Sequence, residues 1–210
     1  MSPMLEFFFG QYSDYDTVDI VLEIVAVIFG FLSVWFSKQN NILVFPTGMI
    51  STAIFVYLLL KWSLLGDMMI NAYYFIMSVY GWYIWTRKVD ANHVTPISYT
   101  TKAEHRYSAI IFIATLLFVF VVYYSFDKWN NWTAYVDTFT TAVFFVGMWL
   151  MAKRKIENWI YWIIGDIISV PLYFYKGFTF TSFQYLIFTI IAIYGYYAWK
   201  KHLNNNLQIA

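Results

Sequence analysis

Seven long apolar segments follow one another in this chain, and the first three share a pattern of residues with the last three. Each segment can cross the hydrocarbon layer of a bilayer, which is about 30 Å thick and needs about 20 helical residues. A duplicated set of membrane helices is a common architecture of transporters. The recurring residues are Gly30, Asn41 and Gly48, matched 117 positions later by Gly147, Asn158 and Gly165, and Tyr80, Gly81 and Trp85, matched 114 positions later by Tyr194, Gly195 and Trp199.

The composition agrees with a membrane location. Of the 210 residues, 61% are hydrophobic and only 12% are charged, which leaves too few polar groups for the surface of a soluble domain. We therefore predict an all-α integral membrane protein. The predicted transmembrane helices cover residues 17–37, 42–61, 66–86, 107–126, 133–152, 158–175 and 179–200.

The segment before the first helix, residues 1–16, does not resemble a cleaved signal peptide. Its charged residues, among them Glu6 and Asp14, are acidic, whereas a signal peptide begins with a basic region. We expect this segment to stay in the mature chain. Its three consecutive phenylalanines fit a short interfacial helix, and an irregular terminus is the alternative.

The number of helices predicts how the two similar sets are related. Four spans separate the start of the first set from the start of the second, and an even number restores the direction of the chain. The predicted architecture is therefore two parallel three-helix repeats, 17–86 and 133–201. A cytoplasmic loop and a linker transmembrane helix within 87–132 join them, and 202–210 form a cytoplasmic tail.

The basic residues predict the orientation, because cytoplasmic loops of membrane proteins carry the excess of lysine and arginine. Ten such residues lie on the side reached after each odd-numbered span, against three on the other side. This split places the N-terminus outside and the C-terminus in the cytoplasm. The ten are Lys38, Arg87, Lys88, Lys102, Arg106, Lys153, Arg154, Lys155, Lys200 and Lys201, and the three are Lys61, Lys128 and Lys176.

The sequence carries no pattern typical of catalysis or of metal binding. It has no cysteine, and its three histidines, His93, His105 and His202, fall in predicted loops or the tail. It has no glycine-rich lysine loop for ATP and no nucleophile paired with a base inside a span. The net charge of +1 gives no argument for a nucleic-acid partner. We predict a protein that is not an enzyme and has no cofactor and no metal.

One carboxylate lies in the middle of a predicted span. Asp166 is in the sixth helix, where an unpaired charge costs several kcal/mol and is normally functional. Trp162 lies four residues earlier and therefore on the same helix face. An aromatic ring beside a carboxylate is a good receptor for a cation.

Other spans carry polar and aromatic residues at depths that could meet Asp166. We predict that Asn71 and Tyr74 of the third helix, Gln184 and Phe188 of the seventh, and Thr52 of the second line a substrate site with it. We expect this site at the centre of the membrane or slightly towards the outside. The alternative is that such groups form hydrogen bonds between helices and hold the bundle together; for Ser51, Thr52 and Ser78 the two interpretations are balanced. For Glu23 and Asp137, near helix starts, a structural role is favoured.

Aromatic residues and prolines offer candidates for moving parts. Trp82 and Trp85 lie three residues apart next to Gly81, near the predicted cytoplasmic end of the third helix. A gate at this level is one interpretation, and packing or an interfacial belt is the other. Pro46 and Pro171 are candidates for kinks in the second and sixth helices.

Several motifs of this chain, spread over residues 17–201, resemble the PnuC family of bacterial vitamin transporters. This resemblance implies facilitated diffusion of nicotinamide riboside across the bacterial inner membrane, without ATP or a coupling ion. It also implies a SWEET-like three-one-three fold, a homotrimer surrounded by membrane lipid, and a cytoplasmic kinase that traps the vitamin for NAD biosynthesis. The motifs are Asn41, Phe45-Pro46-Thr47-Gly48, Asn71-Ala72-Tyr73-Tyr74, Tyr80-Gly81-Trp82-Tyr83-Ile84-Trp85 and Trp162-Ile163-Ile164-Gly165-Asp166.

By the same resemblance, Asn71, Tyr74 and the face from Trp162 to Asp166 line the substrate pocket, and Trp82 and Trp85 lie at or below it. Thiamine and riboflavin, which relatives in this family carry, stay open as substrates. Two other classes stay open as well. A sugar-type facilitator would not need Asp166, and a membrane scaffold would bind no small molecule.

Overall fold

The computed structural model describes residues 16–62, 64–88 and 95–209 of the chain, so the predicted segment 1–15 lies outside the described residues. The described part is helical, and four of its helices, α1, α2, α4 and α5, are long and apolar enough by themselves to cross a membrane. The prediction of an all-helical chain with seven long helices is confirmed. These are α1 (Thr17–Lys38), α2 (Val44–Lys61), α3 (Leu65–Thr86), α4 (Lys102–Ser125), α5 (Thr133–Ala152), α6 (Asn158–Tyr175) and α7 (Thr179–Ile209).

Two helices are longer than predicted. α4 begins at Lys102 because Thr101 and Glu104 form a capping box, in which each side chain accepts from the backbone N–H of the other residue. These polar residues hid the first turn from a search for apolar stretches. α7 continues through most of the predicted tail, to Ile209.

Pro46 removes no hydrogen bond within α2, so the basis for the predicted kink is absent there. It is the third residue of that helix, where the backbone N–H would have no partner within the helix in any case. Pro171 does lie inside a helix, α6.

Six helices form a closed ring. α1, α2 and α3 pack in sequence and are called the first helix triplet below, and α5, α6 and α7 likewise form the second helix triplet. The ring closes where α1 packs on α7 and where α3 packs on α5. α4 lies outside the ring and packs mainly on α5, so the interior belongs to the two triplets.

The two triplets make the same contacts at a constant separation of 114 residues. Trp85 donates its indole N–H to the carbonyl oxygen of Met151 at 3.2 Å, and Trp199 donates to that of Ser37 at 3.0 Å. Ser37 and Met151 are themselves 114 residues apart and in contact. The first two helices of each triplet are joined by a turn whose second residue has positive φ, 55° at Asn40 and 60° at Arg154, again 114 residues apart.

This register corrects the 117-residue match predicted for the first two helices of each set. At a separation of 114, the counterpart of Gly30 is Phe144 and that of Gly48 is Trp162. The glycines at 147 and 165 lie opposite these large rings: a side chain added at Gly165 would overlap Phe144, and one at Gly147 would lie 3.5 Å from Trp162. The glycines that are 117 residues apart are therefore not at equivalent positions. Gly165 and Gly147 are instead the packing partners of the large rings that stand in place of Gly30 and Gly48.

The two ends of the bundle differ in charge. At one end, called the basic end, lie Lys38, Arg87 and the turn Lys153–Lys155. A segment called the strap, residues 95–101, is bonded across this end: Ser98 donates to the Arg154 carbonyl at 3.2 Å and accepts from Ile156 N–H at 3.1 Å. Ile97 of the strap is buried in the core.

The opposite end is held by ion pairs. Lys61 lies 2.7 Å from Asp19 and 3.1 Å from Asp16, which ties α2 to the start of α1. Lys176 pairs with Asp137 and ties the end of α6 to α5. The pairing of Asp137 supports the structural role favoured for it.

Candidate functional site

A cavity of about 230 Å³ lies inside the ring, between the two triplets. It extends from the middle of the bundle towards the basic end, whereas the sequence analysis placed the site at the centre or slightly towards the outside. The volume lies below the range of about 300–1,000 Å³ that is usual for drug-sized ligands. The first triplet contributes Gly30, Ser33, Val34, Ser37, Val44, Gly48, Ser51, Thr52, Tyr74 and Ser78, and the second Phe144, Met148, Met151, Trp159, Trp162, Asp166, Tyr185, Phe188 and Ala192.

Among the described residues that line the cavity, Asp166 carries the only formal charge. Its side chain is 3% exposed. Trp162, one turn earlier on α6, lies with its ring centroid 5.4 Å from that of Phe144 and 6.5 Å from that of Tyr74. Phe144 in turn stacks on Tyr185 at 5.9 Å. The carboxylate therefore sits in an aromatic wall, which favours a flat cation.

The opposite wall, from the first triplet, consists of small and hydroxyl side chains. Ser51 donates to the Ala26 carbonyl at 2.7 Å, Ser33 to the Val44 carbonyl at 2.8 Å, and Thr52 to the Gly48 carbonyl at 2.8 Å. These bonds hold helices together or satisfy the hydroxyl within its own helix. Each oxygen keeps a lone pair that can accept a hydrogen bond, so the structural role of these residues is observed and their binding role stays a prediction.

The two walls differ because equivalent positions carry residues of opposite size. Gly30 faces Ser51, while at the equivalent positions Phe144 faces Gly165. Gly48 faces Ser33, while Trp162 faces Gly147. In the second triplet, one residue of each facing pair has a large ring, whereas in the first triplet both residues of each pair are small. The small residues of the first triplet therefore line the cavity on one side, and the large rings of the second line it on the other.

Five of the predicted binding residues line this cavity: Thr52, Tyr74, Trp162, Asp166 and Phe188. The other two predicted binding residues, Asn71 and Gln184, are not in the cavity lining. Both lie closer to the opposite end of the bundle, and the Asn71 amide donates to the Asp67 carbonyl of its own helix at 3.0 Å. Their amides lie outside the lining because the cavity extends from the middle of α3 and α7 towards the basic end.

Sequence reasoning missed Phe144, Tyr185 and Ser33. Phe144 could have been found, because a separation of 114 residues makes it the counterpart of Gly30 and places it opposite Gly165. Tyr185 and Ser33 give no such signal. Their presence in the cavity lining follows only from the orientation of each helix within the ring.

The two tryptophans of the predicted gate lie in different places. Trp85 is buried below the cavity, with its ring centroid 5.0 Å from Phe45 and 5.7 Å from Trp199. Trp82 is 43% exposed and faces away from this cluster. Residues three apart on a helix differ by about 60° in direction, which is enough to turn one ring outwards.

The buried rings at the basic end close the cavity there. Phe45 meets Trp85 edge to face at 90°, and Trp159 meets Trp199 at 89° with centroids 5.6 Å apart. Gly81 lies against the Phe45 ring and Gly195 against the Trp159 ring, so both contacts depend on a missing side chain. We call these four rings, Phe45, Trp85, Trp159 and Trp199, the aromatic cluster.

A ring of long apolar helices around a cavity with one carboxylate is typical of a small-molecule transporter of the helical class. The model of a protein family described as nicotinamide mononucleotide transporter matches residues 20–201. The chain belongs to this family, which confirms the predicted resemblance.

Relatives and one solved structure agree with the family. The chain is 24% identical over 205 residues to the nicotinamide riboside transporter PnuC of Escherichia coli, covering 85% of this chain and 84% of that protein. It is 30% identical over 132 residues to the riboflavin/roseoflavin transporter RibM of Streptomyces davaonensis, covering 59% and 58%. A crystal structure of the vitamin B3 transporter PnuC matches 96% of this chain and 88% of its own, with a TM-score of 0.65 and 21% identity, and shows the same fold.

Proposed function

We propose that this protein imports nicotinamide riboside by facilitated diffusion. The observation that carries the proposal is the buried carboxylate of Asp166 in an aromatic wall of the cavity. Nicotinamide riboside has a flat pyridinium ring with a fixed positive charge, which can stack on Trp162 while its charge faces Asp166. Its ribose hydroxyls can then donate to the hydroxyl oxygens of the first triplet's wall.

The charge of the cavity lining argues against a phosphorylated substrate, although the family description names a mononucleotide. A phosphate monoester carries up to two negative charges, and proteins bind such groups with arginine or lysine. The residues that line the cavity include neither, and Asp166 would repel the phosphate. We therefore infer a nucleoside substrate, which a cytoplasmic kinase then phosphorylates and traps for NAD biosynthesis.

Riboflavin is the second candidate, because of the similarity to RibM. Its three fused rings are uncharged and need more room than one pyridinium ring. A cavity of about 230 Å³ with a single carboxylate favours the smaller cation. Thiamine is also a cation, but it lacks the ribose that the hydroxyl wall would bind.

The architecture proposed for this function is two parallel three-helix repeats joined by α4, as in the SWEET-like plan. The contacts repeated at a separation of 114 residues and the position of α4 outside the ring support it. The basic end would face the cytoplasm of a bacterium, so that the cavity is closed on that side by the aromatic cluster, with Trp85 as the gating residue. We further propose a homotrimer, as the family resemblance implies, to be tested by mass measurement in detergent.

Uptake of labelled nicotinamide riboside into proteoliposomes, without ATP or an ion gradient, tests the proposal. We expect saturable uptake that stops at equal concentrations inside and outside. Unlabelled nicotinamide riboside should compete, and riboflavin, thiamine and nicotinamide mononucleotide should not. Competition by riboflavin alone would reassign the substrate within the family, and uptake that needs a gradient would overturn facilitated diffusion.

A further inference from the structure

Arg154 occupies a position whose backbone does not favour arginine. It has φ of 60°, a conformation that strains most residues with a side chain. Its counterpart 114 positions earlier, Asn40, has φ of 55°, and asparagine tolerates this region better. The same turn is therefore built with a suitable residue in the first triplet and an unsuitable one in the second. A residue kept against its backbone preference indicates that its side chain has a role.

The Arg154 side chain crosses from the second triplet to three separate parts of the molecule. Its Nε donates to Asn40 Oδ1 at 3.0 Å, in the turn between α1 and α2. Its Nη1 donates to the Thr95 carbonyl of the strap. Its guanidinium carbon lies 4.5 Å from the centre of the Trp85 ring. Burial lowers the pKa of Arg154 to about 10, so the side chain is charged at neutral pH and these contacts are charge-assisted.

These contacts cover the aromatic cluster from the basic end. Trp85 is held on one side by Phe45 and Trp199 and on the other by Arg154. Thr95 also donates its hydroxyl to the Ile84 carbonyl at 2.7 Å, next to Trp85, so the strap is attached to α3 at the same level. Any movement of Trp85 out of the aromatic cluster would break its contact with Arg154 as well as its bond to the Met151 carbonyl.

We propose that Arg154 is a positioning residue for transport, a latch that acts through Trp85 to keep the cavity closed at the basic end. The latch joins the two triplets at the basic end, where the bonds of Trp85 to Met151 and of Trp199 to Ser37 also join them, so its release would weaken the closure there. The ion pairs at the opposite end lie within each triplet and would be unaffected. Opening towards the basic end would be the step that discharges substrate. This inference rests on the proposed transport function but not on the identity of the substrate.

The equivalent turn of the first triplet suggests a variant that distinguishes a latch from a purely structural role. Arg154→Asn places in the second turn the residue that the first turn already uses at Asn40. Asparagine suits the positive φ, so the fold is retained, while the contacts to Trp85 and Thr95 are lost. Lys153→Asn is the matched control, because it removes one positive charge from the neighbouring position, which has an ordinary φ of −81°.

Cysteine accessibility measures the opening without any substrate. The chain has no native cysteine, so a Ser78→Cys reporter in the cavity wall gives a single reactive thiol. Its rate of reaction with a membrane-impermeant maleimide would be measured from each side, in vesicles of both orientations. We expect Arg154→Asn to raise the rate from the basic end at least about fivefold, as loss of a cation–π contact and a charged hydrogen bond would. The Lys153→Asn rate should equal that of the parent.

Thermal unfolding of the same variants completes the test. We expect Arg154→Asn to unfold at or above the temperature of the parent, since the strained arginine is replaced. A lower unfolding temperature with an unchanged labelling rate would mean that Arg154 is only structural. Faster labelling from both ends would mean general loosening and would also overturn the latch. Either result would leave the uptake assay of the parent protein, and with it the proposed function, intact.

Discussion

The first and second helix triplets agree closely at the basic end and differ inside the cavity. At the basic end, the indole-to-carbonyl bonds of Trp85 and Trp199 and the edge-to-face ring pairs repeat in both. In the cavity, Gly30 and Gly48 of the first triplet stand where the second has Phe144 and Trp162. The difference teaches that the contacts at the basic end are built from the repeated residues, while the shape of the cavity is set by those that diverged.

The charge of the cavity lining also differs between the two triplets. The counterpart of Asp166 at 114 residues is Thr52, and both line the cavity. A pair of carboxylates would repel each other in a space of this size. One carboxylate facing one hydroxyl gives the cavity a charged side and a neutral side, so a ligand with a cationic ring and a neutral sugar has one favoured orientation.

The largest effect is expected where the two triplets agree. In Gly81→Ala and in Gly195→Ala, the added methyl group would overlap the buried rings of Phe45 and Trp159. Overpacking of this kind costs about 1–3 kcal/mol, so thermal unfolding in detergent should show a clear and similar loss for both variants. Gly66→Ala is the control, because its methyl group would lie 3.5 Å from Val122, an ordinary contact. Strongly unequal losses would mean that the two ring contacts are not equivalent.

Most of this fold could be predicted from the sequence, because helix length and apolar composition are fixed by the thickness of a bilayer. The predicted boundaries of α5 and α6, 133–152 and 158–175, agree with the structure. Errors arose where polar residues extend a helix beyond its apolar part, as the capping box at Thr101 does. They arose also where glycines at similar spacing suggested a register of 117 instead of 114.

The site could be predicted only in part. Asp166 and Trp162 give a strong signal, since a charge inside a span is costly and a ring one turn away shares its face. The amides of Asn71 and Gln184 gave a similar signal but lie outside the cavity lining. Depth along the membrane axis decides this, and depth depends on how far each helix is shifted against its neighbours, which no single helix sequence contains.

The second largest effect tests the difference in charge. Asp166→Asn should weaken binding of nicotinamide riboside about 10- to 100-fold, since it removes the charge that faces the pyridinium ring. Thr52→Val, at the equivalent position, should weaken binding only about fivefold, as loss of one neutral hydrogen bond of about 1 kcal/mol does. Isothermal titration with purified protein would measure both. Equal losses in the two variants would show that charge does not divide the cavity, and loss of folded protein in Asp166→Asn would assign Asp166 to structure.

The third prediction tests the aromatic wall. Trp162→Ala removes the ring that stacks beside Asp166, and we expect binding to weaken about tenfold, in keeping with about 0.5–1.5 kcal/mol for an aromatic contact beyond its buried area. Ile163→Ala, at the next position of α6 and not in the cavity lining, is the control for the loss of a large side chain. Similar affinities in both variants would remove Trp162 from the site.

The smallest effect returns to the repeated bonds at the basic end. Trp85→Phe and Trp199→Phe keep an aromatic ring in the cluster but lose the indole N–H, and with it one hydrogen bond each to Met151 and Ser37. Each carbonyl also accepts a backbone hydrogen bond from the following turn, Ser37 from Asn40 and Met151 from Arg154, both at 2.9 Å. The cost should therefore be near the net value of one hydrogen bond, about 1 kcal/mol, and similar in the two variants. Thermal unfolding of the single and double variants would show additive losses if the two bonds close the end independently. A double loss smaller than the sum would mean that breaking either bond already frees the other, so that the two triplets separate at this end as one cooperative unit.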